Sequence, residues 1–117
     1  MELTELVKAV LEQDALTARQ WVADAKQAGI DWSSIPAPEG LSDRENVVSA
    51  ALVELMAERT EVPAPNWTKA IGPLPEPLYL VRAASSMPRL RRLCEEESPL
   101  PLRRRRLYAP PEFLTSA

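Results

Sequence analysis

The sequence contains no histidine. That removes the imidazole from every Ser-His-Asp or Cys-His arrangement and from every histidine-ligated metal site. There is one cysteine, Cys94, so no disulfide can form within the chain, which suits a reducing compartment. The three glycines, Gly29, Gly40 and Gly72, stand singly, and a phosphate-cradling loop needs them clustered. No apolar run approaches the ~18–20 residues of a membrane span, and no basic-then-apolar leader opens the sequence. The expectation is a soluble, cytoplasmic protein. Aromatics are scarce, with only Trp21, Trp32, Trp67, Tyr79, Tyr108 and Phe113, so aliphatic and alanine packing must build the core.

What the chain does have is proline, twelve of them in 117 residues. Proline lacks an amide hydrogen and fixes φ, so long stretches must lie outside helix interiors and central strands. The length suits one domain. Net charge is −3 and the pI is near 5.0, but the halves differ in sign. Residues 1–62 carry 12 acidic and 5 basic side chains, and residues 63–117 carry 5 acidic and 9 basic. Such halves can attract each other or different partners.

Residues 1–62 read as three helices. Leu3, Leu6, Val7, Val10 and Leu11 recur on one helical face. Asp14 is placed to cap a second helix from Ala15 to about Ala28. Its stripe is Ala18, Val22 and Ala25, with Trp21 beside it. Gly29 fits the position after its end, and Ile30 the contact that follows. After a loop over 31–41, Ser42-Asp43-Arg44-Glu45 is a capping box. The helix it opens has an apolar face of Val47, Val48, Ala51, Leu52, Leu55 and Met56, and Val62-Pro63 closes it.

Beyond that, prolines 63, 65, 73, 75 and 77 make residues 63–77 an extended connector, with Trp67 expected to clamp it to the domain. Leu78–Val81 reads equally as a lone strand or a helix start. Ser86-Met87-Pro88 opens a fourth helix to about Glu97, within a region spanning 78–100, burying Met87, Leu90, Leu93 and Cys94. Burial and the lack of histidine make Cys94 a packing residue rather than a nucleophile. The charges of this helix run against its dipole, with Arg89, Arg91 and Arg92 first and Glu95, Glu96 and Glu97 last. The pairs Arg91–Glu95 and Arg92–Glu96 offset only part of that, so the helix needs packing or a partner. The contiguous glutamates splay around the helix and do not converge on a metal.

Residues 101–117 read as an extended tail. Arg103, Arg104, Arg105 and Arg106 precede an apolar, proline-stiffened segment containing Leu107, Tyr108, Phe113 and Leu114. Three readings apply. The arginines can bind nucleic-acid phosphates, but neither a nucleic-acid-binding motif nor interleaved aromatics accompany them. They can pair internally with Glu95 to Glu97, a weak surface network. Or they can steer an acidic protein partner while Leu107, Tyr108, Phe113 and Leu114 supply buried area, the preferred reading.

The stretch Pro101-Leu102-Arg103-Arg104-Arg105-Arg106-Leu107-Tyr108-Ala109-Pro110-Pro111-Glu112-Phe113-Leu114 resembles the C-terminal signature of small bacterial proteins paired with nucleotidyltransferase-like toxins. There an arginine pair precedes an aliphatic–aromatic stretch, then proline, an acidic or amide residue, and leucine. The resemblance implies the antitoxin or accessory half of a two-gene module. Residues 1–62 lack the winged-helix pattern that some such antitoxins carry. The expectation is therefore a mainly α, single-domain interaction protein without catalysis, cofactor or metal. It docks through Arg103, Arg104, Arg105, Arg106, Leu107, Tyr108, Phe113 and Leu114 on an acidic, partly apolar protein surface, with nucleic-acid binding through the arginines as the alternative.

Overall fold

The computed structural model describes residues 2–115, and among these the fold is mainly helical. Helix α1 spans Leu3–Leu11 and buries Leu6, Val7, Ala9 and Val10. It stops where Gln13 adopts the left-handed conformation, φ 59°. The Asp14 amide then bonds the Ala9 carbonyl at 2.9 Å, closing the turn. The Asp14 carboxylate accepts from the Thr17 amide at 3.2 Å, so the same residue starts α2, Ala15–Gln27. This is the cap that the sequence predicts at Asp14. Gly29, at φ 69°, ends α2, with the Ile30 amide reaching back to the Ala25 carbonyl at 3.2 Å. Trp21 of α2 packs against Trp32, ring centroids 6.0 Å apart.

Helix α3, Asp43–Arg59, begins at the expected capping box. The Glu45 amide donates to the Ser42 hydroxyl at 3.2 Å, and the Ser42 amide to the Glu45 carboxylate at 3.0 Å. The sequence shows one apolar face, but the fold buries this helix nearly all round. Ser49, Ala50, Val53 and Ala57 are buried along with Val47, Val48, Ala51, Leu52, Leu55 and Met56. Small residues on the remaining sides let neighbours approach, which makes α3 the central post. It packs against α1 and, further along the chain, against both short helices described next. The Ser49 hydroxyl is satisfied by the Glu45 carbonyl at 2.8 Å.

The second half departs more from expectation. The stretch 63–77 is not a bare connector, because Asn66–Lys69 coils into the short helix α4 against α3. The Trp67 indole N–H donates to the Ile35 carbonyl at 2.8 Å, pinning this stretch to the 31–41 loop. Leu78–Tyr79 forms strand β1, followed by a 3-10 turn over Arg82–Ser85. Helix α5 covers Pro88–Glu97, with proline in its first turn. Of its expected buried set only Cys94 is enclosed; Leu90 and Leu93 are half-buried and Met87 is exposed. The 3-10 segment packs on α5 but leaves most of this ten-residue helix uncovered.

The extended tail expected over 101–117 is corrected over 101–115, its last two residues lying outside the described ones. Leu100–Arg103 forms helix α6, and Leu107–Tyr108 forms β2, paired in parallel with β1 in the register Leu78–Leu107 and Tyr79–Tyr108. Leu102, Leu107, Ala109 and Leu114 are buried in the same core as α1 and α3. The reason is amphipathic spacing hidden among prolines: Pro101, Leu102 and Arg105 point inward from α6 while Leu100, Arg103 and Arg104 point out. Buried Ser98 closes the outer side of β2. Its hydroxyl accepts the Ala109 amide at 2.9 Å and contacts the Ala109 carbonyl at 2.9 Å and the Cys94 carbonyl.

Candidate protein-docking surface

The four arginines leave α6 through a tight turn, and the turn sends them in different directions. Arg106 takes φ 63°, the left-handed conformation that redirects the chain into β2. Arg105 points into the protein and is 6% exposed. Its guanidinium meets the Glu54 carboxylate of α3 as a fork, Nη1 to Oε1 at 2.5 Å and Nη2 to Oε2 at 3.0 Å. The remaining donors reach the carbonyls of Thr68 at 2.8 Å, Ile71 at 3.2 Å and Pro101 at 3.4 Å. One side chain thus ties α3, α4 and α6 together, with every donor used.

Burial pushes the Glu54 carboxyl upward, but hydrogen bonds from Arg105 and Thr68 and the charges of Arg105 and Arg104 outweigh it, holding it below its ordinary value. The opposite-sign halves of the sequence therefore do attract each other, at one buried point.

The other three arginines are exposed. Arg103 Nη1 donates to the Glu96 carbonyl at 2.7 Å, at the end of α5 where the dipole favours a cation. Arg104 lies 3.4 Å from Glu54 with its side chain 57% exposed. Arg106 Nη1 donates to the Pro75 carbonyl at 2.6 Å. Among the described residues none of Arg103 to Arg106 forms an ion pair with Glu95, Glu96 or Glu97; the acidic partner of Arg104 and Arg105 is Glu54.

The expected apolar anchors are likewise redistributed. Leu107 and Leu114 are core residues, Tyr108 and Phe113 are half-buried. Arg59 holds the segment before Leu114, donating to the carbonyls of Phe113 at 2.5 Å and Pro111 at 3.3 Å. As anchors for a partner, Leu107, Leu114 and Arg105 are already spent on the fold. What sequence reasoning missed is Glu54, a lone carboxylate among Leu52, Val53 and Leu55. That placement inside an apolar run was the available sign that a buried cation awaited it.

Helix α5 lies beside this turn. Arg91 and Glu95 approach within 3.8 Å, and Arg92 and Glu96 within 4.0 Å, the pairs expected from the spacing. Tyr79 supports the first: its hydroxyl donates to Glu95 Oε2 at 2.6 Å, and the Arg91 guanidinium carbon sits 4.9 Å from its ring centroid. Burial, then the Glu95 hydrogen bond, raise the Tyr79 phenol above its ordinary value. The Tyr79 and Tyr108 rings lie 5.3 Å apart, so these aromatics face each other and Arg91 rather than offering a stacking platform.

Two clefts border the C-terminal segment. One, of about 480 Å³, lies between the α1–α2 corner, Leu80–Ala83 and Pro110–Thr115; the other, of about 410 Å³, lies between α2, α3 and Leu114. Among the described residues no three acidic or cysteine side chains converge as a metal would require. No described helix is long and apolar enough to cross a membrane. No protein-family model, curated protein or solved structure matches the chain.

Proposed function

We propose that this is a non-catalytic, cytoplasmic docking protein, the antitoxin or accessory subunit of a two-gene module, that recognises an acidic and partly apolar surface of its protein partner. The observation carrying the reading is the segregation of the arginines. Arg105 is consumed internally, while Arg89, Arg91, Arg92, Arg103, Arg104 and Arg106 are all exposed on α5 and the α6 turn. Exposed arginines near an exposed leucine suit recognition of carboxylates with apolar contact. The C-terminal motif supplies the nucleotidyltransferase-like partner class by resemblance.

Nucleic acid is the weaker reading for a stated reason. No nucleic-acid-binding motif accompanies the arginines, and the Tyr79 and Tyr108 rings pack on each other, with Arg91 over Tyr79.

The test is co-expression with the product of the adjacent gene, using a tag on this chain. A nucleotidyltransferase-like neighbour that co-purifies stoichiometrically is expected. A neighbour of another class, or one that does not co-purify, contradicts the reading. Deleting residues 101–117 is not a usable control, because it removes buried Leu102, Leu107, Ala109 and Leu114.

A further inference from the structure

Of the two clefts beside the C-terminal segment, the larger mixes Arg19 and Arg82 with Asp14 and Glu112, so its charges favour neither an anion nor a cation. The smaller, of about 410 Å³, is one-sided. Its walls come from α2, Ile30 and Trp32 just beyond it, the last turns of α3, and Leu114 with Thr115. Val22, Ile30, Trp32, Met56 and Leu114 give it an apolar lining that is continuous with the core. The charged residues that line it are both cations, Lys26 and Arg59.

Neither cation is neutralised within the chain. Among the described residues neither Lys26 nor Arg59 forms an ion pair. Arg59 is half-buried, and it gives two of its five N–H donors to the Phe113 and Pro111 carbonyls. Burial pulls its guanidinium below the ordinary pKa, and only the charge of neighbouring Glu58 opposes that. A guanidinium partly withdrawn from water without a carboxylate is an electrostatic cost that a bound anion would relieve.

Charge and size then select the ligand. Lys26 and Arg59 each stand in the last turn of a helix, and each such helix end carries about half a negative charge. Two cations and two such ends leave a net charge of about +1, which suits a monoanion better than a phosphate dianion. The volume falls among those of small-molecule sites. A wholly polar anion would leave the apolar lining without contacts, so the ligand needs an apolar body.

We infer that this cleft binds a small amphipathic carboxylate, its aliphatic or aromatic body against Val22, Ile30, Trp32 and Met56 and its headgroup on Lys26 and Arg59. The cleft shares no residue with the arginines of α5 and α6, so the inference does not depend on the docking reading.

The test titrates the full chain with octanoate, followed by amide NMR and calorimetry at about 0.15 M salt. Octanoate is expected to saturate one site below about 10 mM and to shift the amides of Val22, Lys26, Ile30, Trp32 and Arg59. Octanamide keeps the chain without the charge and should bind at least about fivefold more weakly. Acetate keeps the charge without the chain and should give no saturable shift. Lys26→Glu should weaken octanoate at least about tenfold and Lys26→Gln about threefold or more. Lys69→Glu, the same charge change on α4, should leave its affinity within about twofold. Lys26 and Lys69 are exposed, so melting temperatures are expected to hold, and Lys26→Gln carries the test if Lys26→Glu does not fold.

No saturation by about 10 mM, equal binding of octanamide, or Lys26 variants that bind like the parent overturn the inference. Shifts centred on Gln13, Arg19 and Leu80 would place the acid in the larger cleft and overturn it as well. So would a short peptide with a free C-terminal leucine that binds at least about tenfold more tightly than octanoate, since the cleft would then hold a chain terminus.

Discussion

Removing the Arg105 guanidinium should be the most damaging single change in the arginine run. Arg105→Ala leaves the Glu54 carboxylate, 11% exposed, without its forked partner. It also strips hydrogen bonds from the carbonyls of Thr68, Ile71 and Pro101. Breaking a buried pair in this way costs about 3–5 kcal/mol, against a total stability of roughly 5–15 kcal/mol for a domain of this kind. With an unfolding entropy near 2.1 cal/mol/K per residue, 117 residues lose about 4 °C of Tm per kcal/mol. The expected fall is therefore about 12–20 °C by calorimetry or circular dichroism. Arg104→Ala, whose side chain is 57% exposed, should cost no more than about 1 kcal/mol.

A Glu54→Leu, Arg105→Met double variant removes the stranded carboxylate but still leaves the Ile71 and Pro101 carbonyls without the guanidinium, while the Thr68 carbonyl keeps the Ile71 amide at 3.2 Å. It should be less destabilised than the sum of the single changes by at least about 1 kcal/mol. If Arg105→Ala melts with Arg104→Ala and Arg106→Ala, within about 2 °C of the parent, the buried fork is not what holds α3, α4 and α6 together.

Further outcomes follow from the same contacts. Because Glu54 is held below its ordinary value, its contribution is complete above the unfolded-state pKa, about 4.3, and is lost as pH falls through the lower folded value. The Tm gap between the parent and Glu54→Gln should therefore be constant at neutral pH and narrow only under acid, and a gap that widens under acid contradicts the pairing. Ser98→Ala leaves the buried Ala109 amide unpaired and should cost about 1–3 kcal/mol, read by chemical denaturation; Ser85→Ala, at an exposed hydroxyl, should cost under about 0.5 kcal/mol. Burial, then the charges of Glu112 and Glu95, push the Cys94 thiol up, so alkylation of the native protein should be slow at neutral pH and fast in denaturant. Rapid native labelling would contradict the burial of Cys94 on the inner side of α5.

The N-terminal half was legible because its signals are local. Asp14, the Ser42–Glu45 box and Gly29 each act within one turn of where they stand, and each structured the turn expected of it. The C-terminal half was not, because what organises it is distant in sequence. The Arg105 partner lies 51 residues earlier, and β2 pairs with β1 across the whole of α5 and α6. Two-residue strands carry no alternation, and a proline-broken four-residue helix shows no full period, so Leu107 and Leu114 looked like free anchors. Four identical arginines in a row also conceal their division of labour, which a turn with a left-handed residue at Arg106 decides.

The central claim is that the exposed arginines of α5 and α6, and not the residues after them, recognise the partner. It is tested most directly by titration calorimetry of the co-purified partner against the parent chain and the Arg92→Glu, Arg103→Glu variant at equal salt. The account predicts an affinity loss of at least about tenfold, near 1.4 kcal/mol, with a Tm within about 2 °C of the parent. Equal affinity for both chains, with the folded state intact, would contradict it.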